Sequence, residues 1–570
     1  MRYFYSALSI CLVTFLCLSA DAQQPFPGWN FYNAGTSSNM THLVDLDGNV
    51  DHVWNSSNGV GAAVYLIDDG KLLRTVNDPG VRIFGSAGSG GRIHRLAWDS
   101  TIEWNYVSAG TNDRGQDYVG HHDIEQLPNG NVLFIAWERY SNAQAIAAGR
   151  NPQSAPSELW SEVIYEVEPT GPASGNIVWE WHVWDHLIQN FDPSLPNYGE
   201  PSDHPEKIDI NYAPDGPISD WLHFNAIDYN PILDQIAVSS THFDEFWVIS
   251  HAPGDSGDLI YRYGNPQAYD RGSLQDQRLF GQHNIQWIEP GLDGAGNFLL
   301  FNNGRDFQNP RPYSSVDEII PPLNGDGSYA IVPGMAYGPT QPAFVFDNLI
   351  GTTFQSPIMS GAQRLPNGNT LFNLGSSGGI HEIDANGIPV WRSTSPRFTF
   401  RVKRVGTFDP RLEGYMWFGA VADNLNIVEG FQHSGSLQDT YASDDTVLDV
   451  RKSNGPIVLE FKSTSPLATA EQITFTIESS HSVATTSRNP VVVTRQVELF
   501  NYQSGQWEVV RTGESKLVDS TVSIDITDSP DRFVDPASGC IEARLTFTKA
   551  GFARGLRITI DLLDWKFVSP

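Results

Sequence analysis

Cysteine is almost missing from this chain. Three occur in 570 residues, and two of them, Cys11 and Cys17, fall inside an apolar N-terminal stretch. Only Cys540 stands in the body of the sequence. That excludes an internal disulfide, a thiolate metal centre and Cys-pair redox chemistry downstream of the leader. Basic residues are also scarce. Lys and Arg number 35 against 66 Asp and Glu, a net charge of −31. A protein that tracks a nucleic-acid backbone needs a basic footprint, and none is present. The same acidity disfavours adsorption to anionic lipid and favours solubility.

Long apolar runs are missing beyond the first twenty residues. Arg2, the stretch "SALSICLVTFLCLS" and the "ADA" ending at Ala22 read as a cleaved export signal over residues 1–22. The run is short for a membrane anchor. The expectation is a secreted or periplasmic protein with no membrane span. No Walker loop, dinucleotide fingerprint or G-x-S-x-G elbow occurs. "GSAGSGG", starting at Gly85, lacks the Lys-Ser/Thr ending of a phosphate loop and reads as a connection between sheets. No cofactor is implied.

What is present is a repeat. Aromatics make up 12% of the chain, with 16 Trp, and Gly and Pro punctuate many short apolar runs. Five hairpins share one plan: a strand, a turn rich in Asn, Asp and Gly, then a strongly apolar strand. They start at Gly61, His121, Leu222, Gln282 and Ser360. Asn-Gly and Asp-Gly supply the positive φ of tight hairpins. A second hairpin type, closing on an aromatic residue, follows most of them, as in "RIHRLAWDSTIEWNY" and "GGIHEIDANGIPVWR". Each pair of hairpins makes a four-stranded sheet. "FTFRVKRVGTF" offers a sixth inner pair without an outer one, whereas "THLVDLDGNVDHVW" near the N-terminus is an outer pair without an inner one. The two complete each other. The pattern predicts an all-β six-bladed propeller over residues 23–428, closed by its N-terminal hairpin. "DLDGN" at Asp45 begins like a calcium loop but has no downstream Glu, and reads as a turn. From residue 429 to 570 the repeat stops and Ser, Thr and Val alternate with apolar residues, which predicts an antiparallel β-sandwich.

The candidate chemistry lies at one end of the inner hairpins. Aligned on their turns, His122, His223 and His283 fall in register, and the fifth hairpin has Ser360 there. Inner strands of a propeller line its channel, so the three imidazoles are expected to ring one mouth of it. Arg305, leaving the fourth inner hairpin, suits an oxyanion with equivalent oxygens, although Asp306 beside it offers a surface ion pair instead. His122, His223, His283 and Arg305 are the catalytic candidates. Asn225, Asn303, Trp287 and Ser360 are the substrate-binding ones, and Trp137, Phe243 and Phe246 also stand near the rim. Two metal readings compete: His121, Asp123 and Glu125 on one strand face, and the three ring histidines as a zinc-type site with an open position. Neither counts among the preferred assignments, which include no metal.

"HHDIEQLPNGNVLFIAWE", "DWLHFNAIDYNPILDQIAVS", "GQHNIQWI", "NFLLFNNG" and "SGAQRLPNGNTLF", in this order and spacing, resemble the bacterial aryl-sulfate sulfotransferase family from about Asn39 to Phe408. The resemblance implies an exported six-bladed propeller that needs no nucleotide donor. It implies transfer of a sulfuryl group from an aryl sulfate to a phenolic acceptor through a sulfated histidine. It carries site roles onto His223, His283 and Arg305, with His122 joining them by internal register. If the family's acceptor histidine lies in the fifth hairpin, Ser360 replaces it here. A metal-dependent hydrolase and a non-catalytic propeller binding sulfated or phenolic ligands are the alternatives.

Overall fold

The computed structural model describes residues 24–568 apart from 37, 82, 87, 253–256, 306–310, 350, 408, 413–414, 416–417, 442–445, 466, 468, 484–490 and 552–554. The export-signal expectation, with Cys11 and Cys17, and the ion-pair alternative for Arg305 at Asp306 lie outside the described residues. The described chain is nearly all β, with one short α-helix, Asn142–Ala147, capped by Ser141, and a few 3-10 turns.

The turn chemistry builds the hairpins as the sequence suggests. In both "LPNGN" copies the first Leu and last Asn close the turn, Leu127 N to Asn131 O at 2.9 Å and Leu365 N to Asn369 O at 2.8 Å. The glycines sit at φ 87° and 85°, a region where a Cβ is strained. Four strands follow one another antiparallel in each of four sheets. They begin with the inner strands Val60–Ile67, Phe224–Asn230, His283–Trp287 and Gly361–Arg364. The sheet of Asp117–Gln126 carries a fifth strand, Ala109–Thr111, on its inner edge. The sheet of His283–Trp287 takes its outer strands from Ser315–Ile319 and Phe344–Phe346.

In the remaining four-stranded sheet of this region Val402–Gly406 pairs with Gly28–Asn33, which pairs in turn with Met40–Val44 and then Val50–Asn55. The chain's two ends of the repeat region therefore share one sheet. The inner partner of Val402–Gly406 is Gly28–Asn33, not a second strand from "FTFRVKRVGTF". Asp45 makes a turn: its Oδ1 accepts from the amides of Asp47 at 3.0 Å and Asn49 at 2.8 Å. Fully buried Trp54, Trp104, Trp181 and Trp247 fill the packing between strands.

After these sheets come two larger antiparallel ones, of six and five strands. They draw in strands from Phe418–Val421 onward, ahead of the expected boundary at residue 429. Ile457–Thr464 alternates buried and half-buried side chains along its length, the period-2 signature of a strand with one face in a core. Val450, Phe475 and Trp565 from one sheet and Phe461, Val497 and Leu545 from the other belong to a single hydrophobic cluster.

Candidate functional site

Strained backbone marks the site before any side chain does. His122, His223, Asn284 and Ser360 have φ of 46°, 50°, 56° and 82°. All lie on or next to inner strands, and pairing registers shift beside the first three. Such bulges re-aim a side chain. A non-Gly residue held left-handed costs of order 1–3 kcal/mol, and such residues cluster at functional sites.

The histidines of these strands meet at one cavity of about 850 Å³. Its wall includes His122, His223, His283 and Arg305, the four catalytic candidates, together with Asp220, His242, Phe84, Phe400, Ile358 and Met359. The rings of His122 and His223 are 4.7 Å apart, and those of His223 and His242 stack at 5.0 Å. Phe400 lies 6.2 Å from the His122 ring and 6.4 Å from that of His283.

Two carboxyl groups, half-buried Asp220 and fully buried Glu162, stand beside the imidazoles. Asp220 Oδ2 lies 2.7 Å from His223 Nδ1 and accepts from Ser86 Oγ at 2.8 Å, while Oδ1 accepts from Trp137 Nε1 at 3.1 Å. Burial pushes this carboxyl up, but the His223 charge and hydrogen bond, His242 and Ser86 together hold it well below the usual range. Asp220 is therefore an anion facing His223. Glu162 Oε2 lies 2.8 Å from His121 Nε2, and Oε1 accepts the Phe224 amide at 2.9 Å. His121 Nδ1 in turn is 2.9 Å from His122 Nδ1. Burial drives Glu162 well above the carboxylate range and His121 and His122 well below the imidazole range. The Glu162–His121–His122 chain thus holds its protons as neutral, shared hydrogen bonds.

Of the other imidazoles, His283 has both ring nitrogens hydrogen-bonded and His242 has Nδ1 hydrogen-bonded. His283 Nδ1 faces two acceptors, Asn303 Oδ1 at 2.9 Å and Gly281 O at 3.1 Å, so it carries the proton. Its Nε2 accepts the Met359 amide at 3.3 Å. Burial lowers its pKa to about 3. His242 Nδ1 donates to the Asp220 carbonyl at 2.7 Å and Nε2 is 3.9 Å from Asp215. Burial, then the His223 charge, lowers it to about 4. Arg401 sits beside this group. It donates to Asp123 and to Tyr65 Oη, each at 2.6 Å, and its charge depresses both His122 and His283.

Four expected substrate-binding residues are placed behind the wall. Asn303 orients His283 and donates to the carbonyls of Ser356 and Met359. Asn225 is buried and donates to Thr241 and Gln282. Trp287 packs on Phe298 in a hydrophobic cluster. Ser360 is fully buried, with its hydroxyl among Ser356 Oγ, Ile358 O and the Gly375 amide. Phe243 and Phe246 are core residues as well, whereas Trp137 stacks on His121 with ring centres 3.9 Å apart. The "HHDIE" side chains part company, His121 going to Glu162 and Asp123 to Arg401. No group of three His, Cys, Asp or Glu among the described residues is arranged to hold a metal ion.

Sequence reasoning missed Asp220, His242, Phe400 and the Gly-rich loop. The loop is part of the wall: Gly85, Ser86, Gly88 and Ser89 line the cavity, and the Gly88 carbonyl accepts the His122 amide at 3.0 Å. A Cβ on Gly88 would lie 2.1 Å from His122 Cε1 and 2.2 Å from Nε2. Glycine there is a packing requirement of the imidazole.

A family model described as Arylsulfotransferase (ASST) matches residues 31–395. The chain belongs to the arylsulfotransferase family. The match begins inside the strand Gly28–Asn33 and ends before Val402–Gly406 and the two C-terminal sheets. The family implies aryl substrates, and Phe84, Phe400, Ile358 and Met359 are among the large apolar side chains of the cavity wall. No curated protein matches the chain. Among solved structures it is similar to a protein of unknown function from Bacteroides caccae, at 11% identity, 66% of this chain, 98% of that one and a TM-score of 0.36. It is similar also to a protein from Lactobacillus plantarum, at 10% identity, 87% and 99% coverage and a TM-score of 0.32.

Proposed function

We propose that this chain is an exported aryl-sulfate sulfotransferase that passes a sulfuryl group from an aryl sulfate to a phenol through a covalently sulfated histidine of the cavity. On this reading the six repeat sheets form a six-bladed propeller closed by the N-terminal strands, and the two last sheets form a β-sandwich. One observation carries the mechanism: the rings of His122 and His223 stand 4.7 Å apart in one cavity that Arg305 also lines.

A neutral imidazole nitrogen attacks sulfur in line with the S–O(aryl) bond. The leaving oxygen belongs to a phenol of pKa about 10, so it needs a proton as it departs. His223 suits that task because the Asp220 carboxylate, 2.7 Å from Nδ1, fixes the ring's orientation and leaves Nε2 for the transferred proton. Arg305 steadies the sulfuryl oxygens while charge shifts across them, as cations do in phosphoryl transfer. The acceptor phenol then gives its proton to His223 and takes the sulfuryl group. Both half-reactions use one site and no nucleotide donor.

The test is transfer from a chromogenic aryl sulfate to a phenol by the purified protein. Acceptor-dependent phenol release, with the sulfated acceptor as product and full activity after chelation, is expected. No turnover across a panel of donors and acceptors would overturn the reading. Activity lost on chelation and restored by a metal ion would replace it with a metal-dependent hydrolase.

A further inference from the structure

We propose that His242 is a specificity-determining residue of the acceptor half-reaction. Its Nε2 accepts a hydrogen bond from a hydroxyl next to the one being sulfated, so the site favours 1,2-dihydroxyarenes as acceptors. The proposal rests on the sulfotransferase reading and adds to it a subsite and an acceptor class.

His242 stands off the inner strands, in the turn that joins Gln235–Ser240 to Glu245–Ser250. The turn is held from three sides. Asp244 takes the left-handed conformation at φ 55°. Phe243 is fully buried, with its ring 5.0 Å from that of Tyr212 and 5.5 Å from those of Trp221 and Trp247. The backbone is tied to the head of the neighbouring inner strand, Thr241 N donating to His223 O and His242 N to Leu222 O, each at 3.3 Å. The imidazoles of His223 and His242 are therefore fixed relative to each other, with centres 5.0 Å apart and planes 26° from parallel. Both line the cavity.

The partners of the His242 ring decide what it can do. Nδ1 faces the Asp220 carbonyl at 2.7 Å and so carries the ring proton. Nε2 keeps its lone pair. Asp215 Oδ2 stands 3.9 Å from it, beyond hydrogen-bond reach. With its pKa lowered to about 4, first by burial and then by the His223 charge, the ring is neutral at ordinary assay pH and takes a hydrogen bond rather than a proton. The charge of Arg305 acts on His242 too, so the sulfuryl anchor and this imidazole border the same part of the cavity. A 1,2-dihydroxyarene matches the pair of rings. Its reacting hydroxyl gives a proton to His223, and its neighbour keeps its own proton and donates to His242 Nε2. A simple phenol leaves that nitrogen without a partner, which is how a polar subsite discriminates.

The experiment compares catechol with 2-methoxyphenol as acceptors for the full chain, with one chromogenic aryl sulfate as donor. 2-Methoxyphenol keeps the ring, the reacting hydroxyl and the adjacent oxygen, but has no second donor. Per reacting hydroxyl, kcat/KM of the parent should favour catechol by about two- to twelvefold, the worth of one neutral hydrogen bond. His242→Asn puts an amide nitrogen where Nδ1 stands, which keeps the bond to the Asp220 carbonyl, and removes Nε2. His242→Phe keeps a ring against His223 and removes both nitrogens. In each the catechol preference should vanish, whereas His242→Gln, with an amide oxygen near the place of Nε2, should retain part of it. The ratio cancels any change in stability or in catalysis that both acceptors share. A parent without the preference, or an undiminished preference in His242→Asn or His242→Phe, would overturn the subsite and leave the sulfotransferase reading intact. No transfer by the parent to these or any other phenols would overturn that reading itself.

Discussion

Asp220→Asn isolates the acid–base half of the site. The carboxylate lies 2.7 Å from His223 Nδ1 and also holds Ser86 Oγ and Trp137 Nε1. Asparagine keeps the shape and one acceptor. If Oδ1 serves Trp137, the amide NH₂ must face His223. His223 Nδ1 then becomes an acceptor and its proton moves to Nε2, where it can no longer receive one from the acceptor phenol. The variant also loses a charge-assisted hydrogen bond worth about 1.5–3 kcal/mol, which is about 10- to 150-fold in kcat. The wrong tautomer adds to that loss, as in serine proteases where the same change costs about 10⁴. Steady-state transfer between an aryl sulfate and a phenol reads the effect. The loss should shrink with donors whose phenols are more acidic, because their leaving oxygens need less proton transfer. A kcat equal to the parent's, or a loss independent of leaving-group acidity, would refute the role given to Asp220 and His223.

Gly88→Ala should abolish transfer, because the new Cβ occupies the place of the His122 imidazole; a thermal melt close to the parent's with turnover retained would contradict the packing. Phe400→Ala removes an aromatic face beside His122 and His283, and should raise KM for aryl donors about two- to twelvefold from the about 0.5–1.5 kcal/mol of an aromatic pair. His283, with its pKa lowered to about 3 by burial, is neutral when folded and near 6.5 when unfolded. Its contribution to stability is full above about pH 6.5 and falls with decreasing pH, at up to about 1.4 kcal/mol per pH unit. Urea titrations should therefore show the parent losing stability relative to His283→Gln between neutral pH and pH 5.

The architecture was legible because turn chemistry is local. "LPNGN" closes the same way in both copies, and His122, His223 and His283, at the starts of three such hairpins, line one cavity. What the alignment could not read was the conformation at that level. The positive φ at Ser360 places it in the same strained position as His122, yet its side chain is too short to emerge and instead bonds to Ser356 and the Gly375 amide. Asn225 and Trp287 sit one layer back, because the register shifts beside His223 and within His283–Gln286 break the alternation that would otherwise put them on the histidines' face. Asp220, His242 and Gly88 come from connections between strands, where no periodicity announces a residue. Only "GSAGSGG" gave a signal there. Its glycines, set aside for want of a phosphate-loop ending, admit an imidazole ring instead.

The most direct test is the time course of phenol release from a chromogenic aryl sulfate mixed rapidly with concentrated enzyme in the absence of acceptor. A covalent histidine intermediate requires a burst approaching one phenol per active site, followed by slow hydrolysis that acceptor phenol accelerates. Release with no burst, beginning only when the acceptor is added, would mean direct transfer between the two substrates and would contradict the sulfated enzyme.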